Sequence, residues 1–133
     1  MNQVEDCFSG QAKEVISGLR SLNVTDFFDD LMETYDRPLR KFSAPESVHS
    51  ALLLLNQYNI ETHRDDPEME GIQLVTSYEF EKGKVVRLII TYRGFSPGSV
   101  SLSVECVRGP GNYFYLFGDQ EFANVVADSS RLS

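Results

Sequence analysis

From Ala12 onward the apolar positions recur at helical spacing. Ala12, Val15, Ile16, Leu19 and Leu22 alternate with Lys13, Glu14, Ser17 and Arg20, which predicts an amphipathic helix that stops at Asn23. Thr25 stands at the cap of a second helix, with Asp26 in the first turn, where the helix dipole favours an acid. Its buried face is Phe27, Phe28, Leu31, Met32 and Tyr35. Asp29, Asp30 and Glu33 fall opposite, and Pro38 closes the segment. Ser43 and Glu46 have capping-box spacing and Pro45 is tolerated in a first turn, so a third helix is expected to about Tyr58. Asn59 is then expected to end it in a left-handed conformation, with Ile60 folding back onto the last turn.

After the acidic loop Asp65–Gly71 the period changes to two. Ile72, Leu74, Tyr78 and Phe80 alternate with Gln73, Val75, Ser77 and Glu79. Glu81-Lys82-Gly83-Lys84 reads as a hairpin turn, followed by Val86, Leu88, Ile90 and Tyr92 on one side of a second strand. Past a turn at Gly94–Gly98, Val100, Leu102, Val104 and Cys106 alternate with Ser99, Ser101, Ser103 and Glu105. Arg108–Asn112 turns again into Tyr113–Phe117, and Asp119 stands at the cap of a short closing helix carrying Phe122, Val125 and Val126.

Short connections between consecutive strands imply an antiparallel meander of four strands. One face of it is apolar throughout, and the preceding helices are the available cover. The expected fold is therefore a single α+β domain over residues 1–133, with N-terminal helices on one face of the sheet and a short C-terminal helix. Helices followed by a long meander resemble the layout of cystatin or NTF2-like proteins. This is a resemblance of architecture that no motif carries, and it leaves function open.

The net charge of −8 opposes binding to nucleic acid or to an anionic membrane surface, both of which need a basic face. Its distribution says more than its total. Residues 1–36 hold eight acids and two bases, whereas residues 37–41 contribute three bases, Arg37, Arg40 and Lys41. The strands at 72–108 are mildly basic. Two cysteines, Cys7 and Cys106, are too few for a disulfide framework and read as reduced thiols. The N-terminus lacks a basic region followed by an apolar run, and Ala51–Leu55 is far short of a membrane span, so the expectation is a cytoplasmic protein.

No catalytic or cofactor signature emerges. His49 lies one position off the apolar face of the third helix. His63 sits near Glu61, Asp65, Asp66, Glu68 and Glu70, but a metal site would need a second histidine or a cysteine at ligand spacing. Paired carboxylates at Asp29-Asp30 and Asp65-Asp66 fall in polar stretches, where both members stay ionised. The expectation is no metal, no cofactor and no catalytic residue.

Two surfaces remain. Tyr78 and Tyr92 share the core side of neighbouring strands, and Tyr35 and Tyr58 end helices. With Tyr113, Tyr115 and His49 they would line a pocket if the sheet is concave; otherwise they are core tyrosines with their hydroxyls at the rim. On the outer face, Ser99, Ser101 and Ser103 form a row of small residues beside Ile89, Val75 and Thr91, with Arg87, Arg93, Glu79 and Glu105 supplying charges of both signs. This composition predicts a contact surface for a protein partner or a second copy. The expected function is a non-enzymatic interaction module for a basic protein or for self-association, in the manner of an immunity protein or chaperone. A small-molecule or catalytic domain built on the tyrosines is the second reading.

Overall fold

The computed structural model describes residues 12–99 and 101–128. Cys7 and Val100 lie outside them. Among the described residues there are four helices, α1 (Ala12–Arg20), α2 (Phe27–Tyr35), α3 (Pro45–Thr62) and α4 (Ala123–Asp128). Five strands accompany them, β1 (Arg40–Phe42), β2 (Gln73–Glu81), β3 (Lys84–Arg93), β4 (Ser101–Arg108) and β5 (Phe114–Phe117). The strands form one antiparallel sheet in the order β1-β5-β4-β3-β2.

The sheet thus has one strand more than the meander predicted from the pattern. Arg40–Phe42 carries two bases in three residues and reads as linker, yet it pairs with β5 from Arg40↔Leu116 to Phe42↔Phe114. The free backbone edge of β5 dictates this strand, because a buried edge must find partners. Arg40 then donates to the carbonyls of Val126 and Ala127 at 3.1 and 3.4 Å, capping the end of α4.

The main core lies between the inner sheet face and α1, α3 and α4. Val15 and Leu19 from α1, Val48, Leu52 and Leu55 from α3, and Phe122 and Val126 meet Leu88, Ile90, Val104, Cys106 and Leu116. Helix α3 packs against both α1 and α4. It departs from the sequence reading at both ends. Ala44 is the cap residue and no side chain caps the helix; Glu46 instead pairs with Arg20. At the other end the helix continues through Asn59, which is wholly buried and helical, and stops at His63. Neither Asp26 nor Asp119 makes a side-chain cap, whereas Thr25 Oγ1 accepts weakly from the Phe27 N–H at 3.4 Å.

The larger correction is the position of α2. It does not join the other helices but covers the opposite face of the sheet. Its apolar face packs on Val107, Tyr115 and Phe117, with the Phe28 and Tyr115 rings 4.6 Å apart. The chain changes sides through residues 22–25, which pass the ends of β3 and β4. Asn23 N–H donates to Val85 O at 2.9 Å and Thr25 N–H to Arg108 O at 3.2 Å. β5 is accordingly buried at all four positions, the pattern of a strand covered on both sides.

Phe80 is a further correction. It keeps the inner side with Tyr78, facing α1, as the alternation predicts, but is 67% exposed rather than buried. The register shifts beside it, from Glu79↔Arg87 to Phe80↔Val85, so Val86 is an extra residue on β3. The hairpin then closes through Lys82 and Gly83, both at positive φ, as a two-residue turn requires.

Candidate functional site

The outer sheet face is divided by α2. Beneath the helix lies a polar network at the β2–β3–β4 junction. Arg87 pairs with Glu79 and, at 2.9 Å, with Glu105, and its guanidinium lies 4.8 Å from the centre of the Phe27 ring. Tyr35 donates its hydroxyl to Glu105 at 3.2 Å. Burial, and then the Glu105 carboxylate, hold the Tyr35 phenol above its ordinary pKa, so it remains a donor. One guanidinium between two carboxylates leaves a net negative charge there, and the network fastens α2 to the sheet.

Beyond α2 the face is open. Arg93 is paired with Ser101, Thr91 with Ser103, and Val75 with Thr91, so these residues lie side by side on β2, β3 and β4. Ser77, Arg93 and Ser101 are exposed, while Val75, Ile89, Thr91 and Ser103 are half-buried. Of the residues singled out from the sequence, Ser101, Ser103, Ile89 and Arg93 therefore share this strip. Arg87 does not, being engaged below α2. Ser99 lies in the turn, where its hydroxyl donates to Gly94 O at 3.0 Å.

Helix α2 borders the strip where Tyr35 reaches Glu105. Asp26, Asp29, Asp30, Glu33 and Asp36 are all exposed, and no lysine or arginine occurs between residues 26 and 36. Among the described residues none of these five carboxylates enters an ion pair. The sequence shows these acids, but the side of the sheet on which they stand depends on which face α2 covers.

The tyrosines do not converge. Tyr35 lies on the outer face. Tyr92, fully buried on the inner face, donates to Leu52 O at 3.4 Å, and burial pushes its phenol well up. Tyr58 meets Phe122 edge-on at 5.9 Å. Tyr78 donates to Glu14 O at 3.3 Å and lies under Gly18, where a Cβ would overlap its ring. His49 is half-buried on α3, and burial lowers its pKa. Tyr115 donates to Pro110 O at 2.9 Å, while the Tyr113 ring takes the Lys41 ammonium at 4.6 Å. An open groove of about 380 Å³ does run between α1 and the β2–β3 hairpin, with Tyr78 and Phe80 in its wall. No histidine lines it.

His63 Nδ1 lies 3.6 Å from Asp66 Oδ2, and Asp66 also accepts from the Glu68 N–H at 2.9 Å. Among the described residues no group of three or more His, Cys, Asp or Glu is placed to hold a metal ion, and no helix is long and apolar enough to cross a membrane. Comparison with protein-family models, with curated proteins and with solved structures finds no match.

Proposed function

We propose that this protein is a non-enzymatic interaction module that docks a basic protein on the outer sheet face, along the open strip beside α2. The carrying observation is the set of five exposed carboxylates on α2 and at its two caps, Asp26 and Asp36, with no ion-pair partner among the described residues. Like charges held on one short helix repel one another, and a basic surface laid beside them relieves that repulsion. The small side chains of Ser101, Ser103 and Thr91 let a partner's backbone approach the floor of the strip. Half-buried Val75 and Ile89 add apolar area to cover. The role is that of an immunity protein or a secretion chaperone, which masks a basic partner. A cytoplasmic setting accords with the free thiol of Cys106. Helices set before a meander also support a cystatin- or NTF2-like reading of the fold.

The test is affinity capture from the native host, with bound proteins identified by mass spectrometry, using the parent and a variant in which Asp26, Asp29, Asp30 and Glu33 are changed to Asn or Gln. The parent should retain one or a few basic proteins that the variant loses, and added salt should release them. Sub-micromolar binding of DNA or RNA at physiological salt, or capture indifferent to the four substitutions, would end this reading.

A further inference from the structure

We infer that α2 is a hinged flap, which lifts from the outer sheet face while the rest of the fold stays intact. The buried apolar residues divide into two clusters on opposite sides of the sheet. The larger joins the inner face to α1, α3 and α4 and contains no residue of α2. The smaller is α2 laid on Val107, Tyr115 and Phe117. Strands β4 and β5 are paired to each other from Glu105↔Phe117 to Arg108↔Phe114, and that pairing does not run through the helix. The sheet and its inner cover therefore form a unit whose core is complete without α2. An element with few buried contacts opens locally at a lower free-energy cost than the whole fold.

Helix α2 is held lightly. Of its nine residues Leu31 is the one that is buried, while Phe27, Phe28, Met32 and Tyr35 are half-buried. Among the described residues one hydrogen bond joins the segment 26–38 to the sheet, from the Tyr35 hydroxyl to Glu105. The Phe27 ring against Arg87 adds a second tie. Asp29 and Asp30 suit the first turn, but the rest of the charge opposes the helix. Asp26 makes no side-chain cap, and no base stands in the last turn. Glu33 and Asp36 instead put negative charge at the end where the helix dipole is already negative. Asp29 and Glu33, four residues apart, are like-charged neighbours on one face.

The chain is pinned to the sheet on either side of this helix. Before it, the Asn23 and Thr25 N–H groups donate to Val85 O and Arg108 O; after it, the Leu39 N–H donates to Leu116 O at 2.7 Å. Between the last turn and that second anchor stands Asp36, with φ 73° and ψ −41°. A positive φ is uncommon for a residue with a side chain, and this negative ψ takes it outside the left-handed well, toward the strained γ-turn. Closure of α2 holds Asp36 in that strain, and lifting releases it. With α2 lifted, the outer face of β4 is open from Ser101 to Val107, so the flap sets how much of that face is available. The inference goes beyond the docking proposed above and does not rest on it, because lifting needs no partner.

Two adjacent residues of β4 test this. Cys106 faces the inner core and Val107 lies under α2, and they are 1% and 0% exposed. Thiol labelling is compared between a Cys7→Ser chain, where Cys106 reports, and a chain with Cys7→Ser, Cys106→Ala and Val107→Cys. Each rate is divided by that of the same chain unfolded in urea. Position 107 should label about tenfold or more faster than position 106 in native buffer. Its rate should also depend less on urea, because lifting exposes less surface than unfolding does. Leu31→Ala and Tyr35→Phe should speed labelling at 107, and Asp36→Gly should slow it, since glycine takes this φ without a steric cost. Hydrogen exchange on the unmutated chain gives a second measurement, which decides alone if the Val107→Cys chain fails to fold. The amides of α2 should exchange ahead of those buried in α3. Equal normalised rates at 106 and 107 overturn the inference, because α2 would then leave the sheet only as the whole chain unfolds. Exchange in α2 no faster than in α3 overturns it too, as does an Asp36→Gly chain that labels faster than the parent.

Discussion

Replacing Asn59 by leucine should stabilise this protein. Asn59 is fully buried on α3, on the stripe that carries Val48, Leu52 and Leu55 into the core. Among the described residues no atom bonds to its Oδ1 or its Nδ2. Leaving a buried amide unsatisfied costs about 1–3 kcal/mol, and leucine is close enough in size to fill the site with apolar atoms. Leucine is also the better helix former, by a few tenths of a kcal/mol. The expected gain for Asn59→Leu is thus about 1–3 kcal/mol, or roughly 3–5 °C in Tm for each kcal/mol in a chain of this size. Urea unfolding with an unchanged slope measures it. Leu52→Ala, two turns earlier on the same stripe, provides the opposite sign and should cost about 2–5 kcal/mol. A destabilised Asn59→Leu accompanied by an equally destabilised Asn59→Ala would refute the reasoning. The amide would then be satisfied in the folded protein, by an internal water for instance, and would anchor α3 rather than burden it.

The remaining predictions concern protonation. Burial pushes the Cys106 thiol up to about 12, so in a Cys7→Ser variant a disulfide reagent should modify Cys106 only as denaturant unfolds the chain. Labelling in native buffer at the rate of a free thiol would show that the inner face of β4 is not packed as described. Burial also lowers the His49 pKa, so the unfolded chain takes up its proton at a higher pH than the folded one does. The associated stability is present above the unfolded pKa of about 6.5 and is lost as pH falls toward the folded value. His49→Gln should therefore flatten the decline in the urea midpoint between about pH 7.5 and 5.5, whereas identical slopes in parent and variant would exclude His49 as its source.

The alternation in β3 and β4 and the apolar stripes of α1 and α3 are legible in the sequence because each is set by burial of one face within one element. Where α2 goes is a different kind of fact. Periodicity identifies Phe27, Phe28, Leu31, Met32 and Tyr35 as buried but does not say which surface they are buried against. A signal was nevertheless present. Tyr113–Phe117 is apolar at five consecutive positions, and Val107 continues the outward parity of Ser101 and Ser103. An outer face carrying Val107, Tyr115 and Phe117 needs a cover of its own, and α2 is the helix with an aromatic face to match them. That single placement carries several consequences for the candidate site. It takes Tyr35 away from Tyr78 and Tyr92, engages Arg87 below the helix, and puts the acids of α2 on the same side of the sheet as the strip that remains open. The extra edge strand at Arg40–Phe42 was less accessible, since three residues with two bases carry no period, and the pairing is dictated by the backbone of β5. The tyrosine pocket failed for a related reason. Strand parity fixes the side on which a ring leaves the backbone, but the hydroxyl ends wherever an acceptor lies, and Leu52, Glu14 and Glu105 lie in three different places.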